Sequence, residues 1–225
     1  MLKFTKSLSE KRYVLAFDLA KITTGWALFD LKEEKIVDFG MIKNVDNVDN
    51  FWYASYCNFS SFLSSLVERF PKEEIVVTKE QCPSQAGPFS SIAALQTLYA
   101  THAVVDVLCD QLGLECYDYD GVHVSTVRAF FRKVSGVQSP QKEDVRDAIK
   151  AKFPDFDLGD YPLDITDAIG VAVTLVYAKY NADCKQQIKQ LKKQLKEAKS
   201  KKKQDRLSEE IEKISSLTFE CESWE

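Results

Sequence analysis

The sequence predicts an α/β fold: a five-stranded mixed sheet, in which an antiparallel meander is extended by parallel strands, flanked by helices and followed by a C-terminal helical extension. Three observations carry this. Short apolar runs of strand length recur around residues 13–19, 26–29, 35–42, 74–80 and 114–119. The intervals after the third and fourth runs carry apolar residues at helical spacing, which makes the order βββαβαβ and requires helical crossovers to parallel strands. From Lys185 onward the composition turns lysine-rich while a three-four apolar spacing persists.

The first strand is Tyr13-Val-Leu-Ala-Phe-Asp-Leu19, a nearly continuous apolar run suited to a central strand covered on both faces, interrupted by the carboxylate of Asp18. Thr23, Thr24 and Gly25 read as turn residues, after which Trp26-Ala-Leu-Phe29 returns antiparallel. Lys35 to Ile42 completes the meander. Phe51 to Phe70 places Phe51, Tyr56, Phe59, Phe62, Leu63, Leu66 and Val67 at helical spacing, and Pro71 ends that helix. Glu74 to Glu80 is the fourth strand, followed by a Pro-, Gly- and Ser-rich loop from Gln81 to Ser90. Ser91 to Leu112 is a long helix stopped by Gly113, and Leu114 to Tyr119 is the fifth strand. Shorter helices are expected around Val124 to Phe131 and Lys142 to Phe153. Pro162 opens the last core helix, Leu163 to Tyr180. Beyond it, Ile188, Leu191, Leu195 and Ala198 fall out of phase with Leu207, Ile211, Ile214 and Leu217, so either a stutter or a hairpin near Ser200 to Asp205 is expected. This divides the chain into a body, 1–184, and an extension, 185–225.

At 225 residues and 45% hydrophobic content the chain can bury one full core and carry an appendage. The formal net charge of −4 excludes a general polycation. Residues 185–213 hold 11 Lys/Arg against 5 Asp/Glu, a local +6, so the remainder carries −10 of that total. The six cysteines show no CxxC spacing and no paired histidine, which argues against a zinc or redox motif. There is no apolar leader and no continuous apolar window of membrane-spanning length, so a cytoplasmic protein is expected.

Carboxylates carry the chemistry. Asp18 sits within an apolar strand, where an ionised group needs a cation or a hydrogen-bonded network. Glu80 ends the strand of Ile75, Val76 and Val77, where α/β sheets gather ligands. Asp164 and Asp167, three apart at a helix start, project from one face. Four carboxylates make an all-oxygen site suited to Mg²⁺ or Mn²⁺, and two such ions can hydrolyse a phosphodiester. His102 and His123 have no Ser or Cys in a nucleophile setting. Arg128, Arg132 and Lys133 form a basic group suited to phosphate contacts.

The runs FDLAKITTGW, VVTKEQ and LDITDAIGVAVTL, in this order and spacing, resemble the RuvC family of Holliday junction resolvases within the RNase H-like (retroviral integrase) superfamily. The resemblance covers about Tyr13 to Tyr180. It implies a homodimer that binds a four-way DNA junction and nicks two strands symmetrically, with Asp18, Glu80, Asp164 and Asp167 as ligands of two metal ions. It also implies a catalytic lysine, and Lys142 in SPQKEDVRDAI is similar to it in position. The chain departs from the bacterial pattern at Leu19-Ala20, where Pro-Gly is common, and at Pro83, where an aromatic wedge is common. Phe89 at the far end of the loop is the candidate substitute for that wedge. With its added tail, the chain resembles phage or viral resolvases more than the bacterial housekeeping enzyme. Two other readings are a two-metal nuclease for forks, flaps or RNA-containing duplexes, and a catalytically silent junction-binding scaffold.

Overall fold

Strand β2 (Tyr13–Asp18) lies at the centre of the sheet because it buries both of its faces. The computed structural model describes residues 2–5, 7–44, 51–83, 91–118, 120–154 and 162–218. Within these, β1 (Lys3–Thr5), β2, β3 (Thr23–Asp30), β4 (Lys35–Lys43), β5 (Ile75–Lys79) and β6 (Glu115–Tyr117) form one sheet in the order β1-β6-β5-β2-β3-β4. The β2-β3-β4 meander is antiparallel, and β5, β6 and β1 add in parallel.

The sheet therefore has six strands where the sequence predicts five. The sixth, β1, is three residues long with Phe4 as its sole apolar residue, so it carries no alternation to read. A second difference concerns Thr23 to Gly25. These residues form the start of β3 rather than a turn, and Gly25 pairs with Asp18.

Alternation along the strands sorts the core into two layers. Val14, Ala16, Ala27, Phe29 and Val76 face one helical layer, and Tyr13, Leu15, Phe17, Trp26, Leu28, Ile75 and Val77 face the other. The first layer is α5 (Leu163–Thr174), backed by α3 (Val124–Ser135) and α4 (Lys142–Lys152). The second is α1 (Phe51–Arg69), which contributes Phe59, Leu63 and Leu66, and α2 (Ile92–Leu112), which contributes Val105, Leu108 and Cys109. Ser91 caps α2 by accepting from the Ala94 N–H at 3.0 Å, and Gly113 ends it at φ +73°, where a side chain would be strained. By length and composition α2 is apolar enough to cross a membrane. One face of it packs on the sheet, and another leaves Ile92, Tyr99 and Val107 exposed.

Helix α5 does not end at Tyr180. It widens into a π-helical segment (Leu175–Tyr180) and continues as α6 (Asn181–Glu197), so residue 184 lies inside a helix. The wider turn brings Tyr177 and Tyr180 inward: the Tyr177 hydroxyl donates to Glu34 at 2.7 Å, and Tyr180 packs edge-on against Tyr117. Of the two ways to reconcile the apolar phases, the hairpin is the one found. The chain reverses at Ala198–Ser200, and α7 (Lys201–Ser215) returns along α6 with Leu207 and Ile214 buried in the same core as Leu191 and Ala198. Ser200 caps α7, and the Gln204 amide donates to the Ala198 carbonyl at 2.8 Å to hold the turn.

Candidate active site

Side-chain parity brings the acids together. Asp18 shares the parity of Val14 and Ala16, and Glu80 that of Val76, so both project toward α5 from adjacent parallel strands. Lys79, one residue earlier, consequently points the other way and pairs with Asp106 of α2. Glu80 lies just past β5 and is fixed by backbone pairing: its N–H donates to the Phe17 carbonyl at 2.9 Å, and Gln81 and Val122 continue the pairing. The first turn of α5 supplies Asp164 and its second turn Asp167, and Pro162 presets the entry to that helix at φ −55°.

Carboxylate oxygens of Asp18, Asp164 and Asp167 all lie within 4.8 Å of one another, and Glu80 lines the same cleft as Asp18 and Asp167. The approach depends on Gly25. It faces α5 like Ala27 and Phe29, and a Cβ there would collide with the Asp164 carbonyl. Sequence reading placed Gly25 in a turn; its pairing opposite Asp18 and its two-residue offset from Ala27 are the signal for its true role.

Behind Asp18, the Thr24 hydroxyl is buried and accepts from the Ala20 N–H at 3.3 Å. Asn44 closes the same turn, its N–H donating to the Ile22 carbonyl at 2.7 Å and its amide to the Lys21 carbonyl at 3.2 Å. Leu19-Ala20 thus holds a defined turn through side-chain hydrogen bonds, where an imposed Pro-Gly geometry would do the same work.

The crowding is electrostatically costly. Burial, reinforced by the charges of Glu80, Asp167 and Asp164, pushes Asp18 up to about 8. Glu80 is raised by burial and by the charge of Asp167. Asp167 is raised by burial, with Lys142 pulling in the opposite direction. Lys142, the first residue of α4, forms an ion pair and hydrogen bond with Asp167. Burial alone would lower its ammonium, but Asp167, Asp18 and Asp164 outweigh that and raise it. The α4 start is fixed by Asp144, whose carboxylate accepts from the Gln141 N–H at 2.7 Å.

Asp18, Glu80, Asp167 and Lys142 line a cleft of about 520 Å³ walled by Val124, Val127 and Val171. Arg128 lines it too and lowers Glu80 and Asp167 by its charge. Arg132 and Lys133 are exposed in the last turn of α3, beyond the cleft. Phe89 lies outside the described residues. The histidines stand apart: His123 caps α3, its Nδ1 accepting from the Ser125 N–H at 3.0 Å, and His102 is buried in α2 with burial holding it down to about 4. A donor set made only of oxygens, mutually repelling and partly held protonated, is the chemistry that a hard divalent cation satisfies, so the residues fit one.

The sheet order, the two helical layers and the acid-bearing end of β2 and β5 define a RuvC-like, RNase H-like fold. The chain is similar to RuvC of Thermus thermophilus in complex with a Holliday junction substrate, at 13% identity and a TM-score of 0.52 over 76% of this chain and 94% of that one. It is similar to a second structure of Thermus thermophilus RuvC, at 15% identity and a TM-score of 0.52 over 76% and 95%. The yeast mitochondrial Holliday junction resolvase Ydc2 gives 11% identity and a TM-score of 0.50 over 77% and 79%. No protein-family model matches the sequence, and no curated protein gives a significant sequence match.

Proposed function

We propose that this chain is a metal-dependent, structure-selective DNA endonuclease that resolves four-way junctions by paired, symmetric nicking. The observation that carries the reading is the convergence of Asp18, Asp164 and Asp167 within 4.8 Å, with Glu80 lining the same cleft, at the end of a RuvC-like sheet. Two Mg²⁺ ions, with Mn²⁺ able to substitute, would be held by these four carboxylates and would supply an activated water and a stabilised leaving oxygen. Lys142 stands ready to leave Asp167 and donate to a phosphate oxygen at the scissile position. Arg128 orients the same backbone from the cleft wall. Arg132 and Lys133 contact phosphates farther along α3. The valine wall lowers the polarity beside these groups, which strengthens each of these charge interactions.

Symmetric nicking needs two sites, and a homodimer supplies them. We assign the second copy to the outer face of α1 and α2, where Trp52, Tyr56, Ala100, Val104 and Val107 make an apolar groove. An exposed apolar face suits a two-fold interface, in which the same patch meets its copy.

The test is to incubate the protein and Mg²⁺ with labelled four-way junction, fork, flap and linear duplex. The expected result is symmetric nicks in the junction that vanish with chelator. Equal cutting of linear duplex would overturn the junction reading while keeping the nuclease.

A further inference from the structure

We infer that the apex of the α6–α7 hairpin is a second, sequence-independent binding surface for duplex DNA, set apart from the cleft by the length of the helix that carries it. The inference rests on the DNA-nuclease reading and adds a contact outside its site.

The helical path from Leu163 to Glu197 is unbroken, about 50 Å at 1.5 Å per residue. Its first two turns carry Asp164 and Asp167. Its middle passes the opposite end of the strands, where Tyr180 meets Leu8 and Arg12 at the start of β2. Everything beyond projects from that far end, and Leu217 brings the chain back to it. The apex, 196–206, is thus the part of the hairpin farthest from the body.

Charge gathers there. Residues 185–206 hold 10 Lys/Arg against Glu197 and Asp205, and the following 207–217 hold Glu209, Glu210 and Glu212 against Lys213. Lys196, Lys199, Lys201, Lys202, Lys203 and Arg206 are all exposed, and none joins an ion pair among the described residues. Helix stability would favour acids in the first turn of α7, where the dipole is positive; that turn is Lys201-Lys202-Lys203 with no acid. Folding is therefore opposed by the arrangement, and a polyanion relieves it.

The surface chemistry selects among polyanions. The hairpin's apolar residues are turned inward: Leu191, Leu207 and Ile214 are buried, and Ile188, Leu195 and Ile211, half-buried, pack against the same core, so none of the hairpin's described residues offers an exposed large apolar anchor for a protein groove or a lipid boundary. Nine of the ten cations are lysines, point charges suited to tracking a phosphate backbone rather than bidentate recognition. With the rest of the chain at −10, the hairpin is also its main source of attraction for DNA.

The spacing makes the inference testable, since about 50 Å corresponds to about 15 base pairs at 3.4 Å each. Four-way junctions with 8-base-pair and 25-base-pair arms are titrated in EDTA with the full chain and with the variant Lys199→Gln, Lys201→Gln, Lys202→Gln, Lys203→Gln. All four positions are exposed, so folding, checked by melting, is expected to be intact. The long-armed junction should lose about 10-fold or more in affinity near 0.1 M salt, and its salt slope should fall by about two. The short-armed junction should bind both proteins within about twofold. Equal affinity of both proteins for long arms overturns the inference, and so does an equal loss on short arms, which would put the contact at the crossover. Loss of binding to phosphatidylserine vesicles with junction binding unchanged would overturn it in favour of a membrane. Single-turnover cleavage of the short-armed junction in Mg²⁺ reads the nuclease assignment alone; its failure leaves the arm-length comparison standing.

Discussion

Asp18, pushed up to about 8 by burial and by its acidic neighbours, ties the chemistry of the site to its stability. A carboxyl raised to about 8 keeps its proton in the folded chain across a range where the unfolded chain has lost it. Stability of the cation-free protein should therefore fall as pH rises from about 4 to about 8, with Glu80 and Asp167 contributing in the same direction. Melting in EDTA at pH 5.5 and pH 8.5 checks this, and Asp18→Asn should narrow the difference, by about 2–4 °C for each kcal/mol recovered. Mg²⁺ should raise the melting temperature more at the higher pH. The same substitution should cut single-turnover cleavage by about 10²-fold or more while junction affinity holds or improves, because a ligand is lost together with repulsion toward phosphate. Near-normal turnover in saturating Mg²⁺ would remove Asp18 from the site. Lys142→Ala separates two roles by kinetics. An ammonium acting at the scissile phosphate, as proposed, should cost turnover far more than affinity, whereas a plain backbone contact would cost affinity and about one unit of salt slope.

At the level of elements, the site exists because the start of α5 comes unusually close to β3. Gly25→Ala should push Asp164 away from Asp18, destabilise the fold by about 1–3 kcal/mol and reduce cleavage. Denaturant unfolding and single-turnover rates read the two effects, and an unchanged rate with an unchanged midpoint would show that the helix start can yield. This juxtaposition also marks how far the sequence could be read. The four acids were legible as residues because each stands at a marked place in its element: Asp18 inside a buried run, Glu80 at a strand end, Asp164 and Asp167 three apart at a helix start. Their common face was legible in principle, since Asp18 and Gly25 follow the alternation of the strands that carry them. The near-continuous apolar run of β2 concealed it, because both faces are covered and neither looks polar. Other features left no periodic trace. Strand β1 is too short, and the widening at Leu175–Tyr180 changes the turn without changing the residue types. The reversal at Ala198–Ser200 showed only as the phase break of the apolar residues on either side, since it contains neither Gly nor Pro to fix its position.

For the whole molecule, the acids and the exposed apolar surface lie on opposite faces of the sheet, because strand parity sends Asp18 and Glu80 toward α5 and leaves α1 and α2 to cover the other side. A second copy placed against α1 and α2 would leave both clefts open to DNA. Val107 is 49% exposed on α2 and lines the apolar groove with Trp52 and Tyr56. A charge there costs little in the monomer, where the side chain already meets water, but would be buried without a partner at a two-fold interface, and would occur twice. Val107→Glu should therefore halve the mass seen by sedimentation at micromolar concentration while leaving the monomer folded by circular dichroism. Paired nicking of a four-way junction should drop sharply in that variant, with nicking of one strand persisting to the extent that monomers still bind. A Val107→Glu protein that keeps both its mass and its paired nicking would move the interface elsewhere, and a wild-type protein that sediments as a monomer at every concentration would remove the dimer from the proposal.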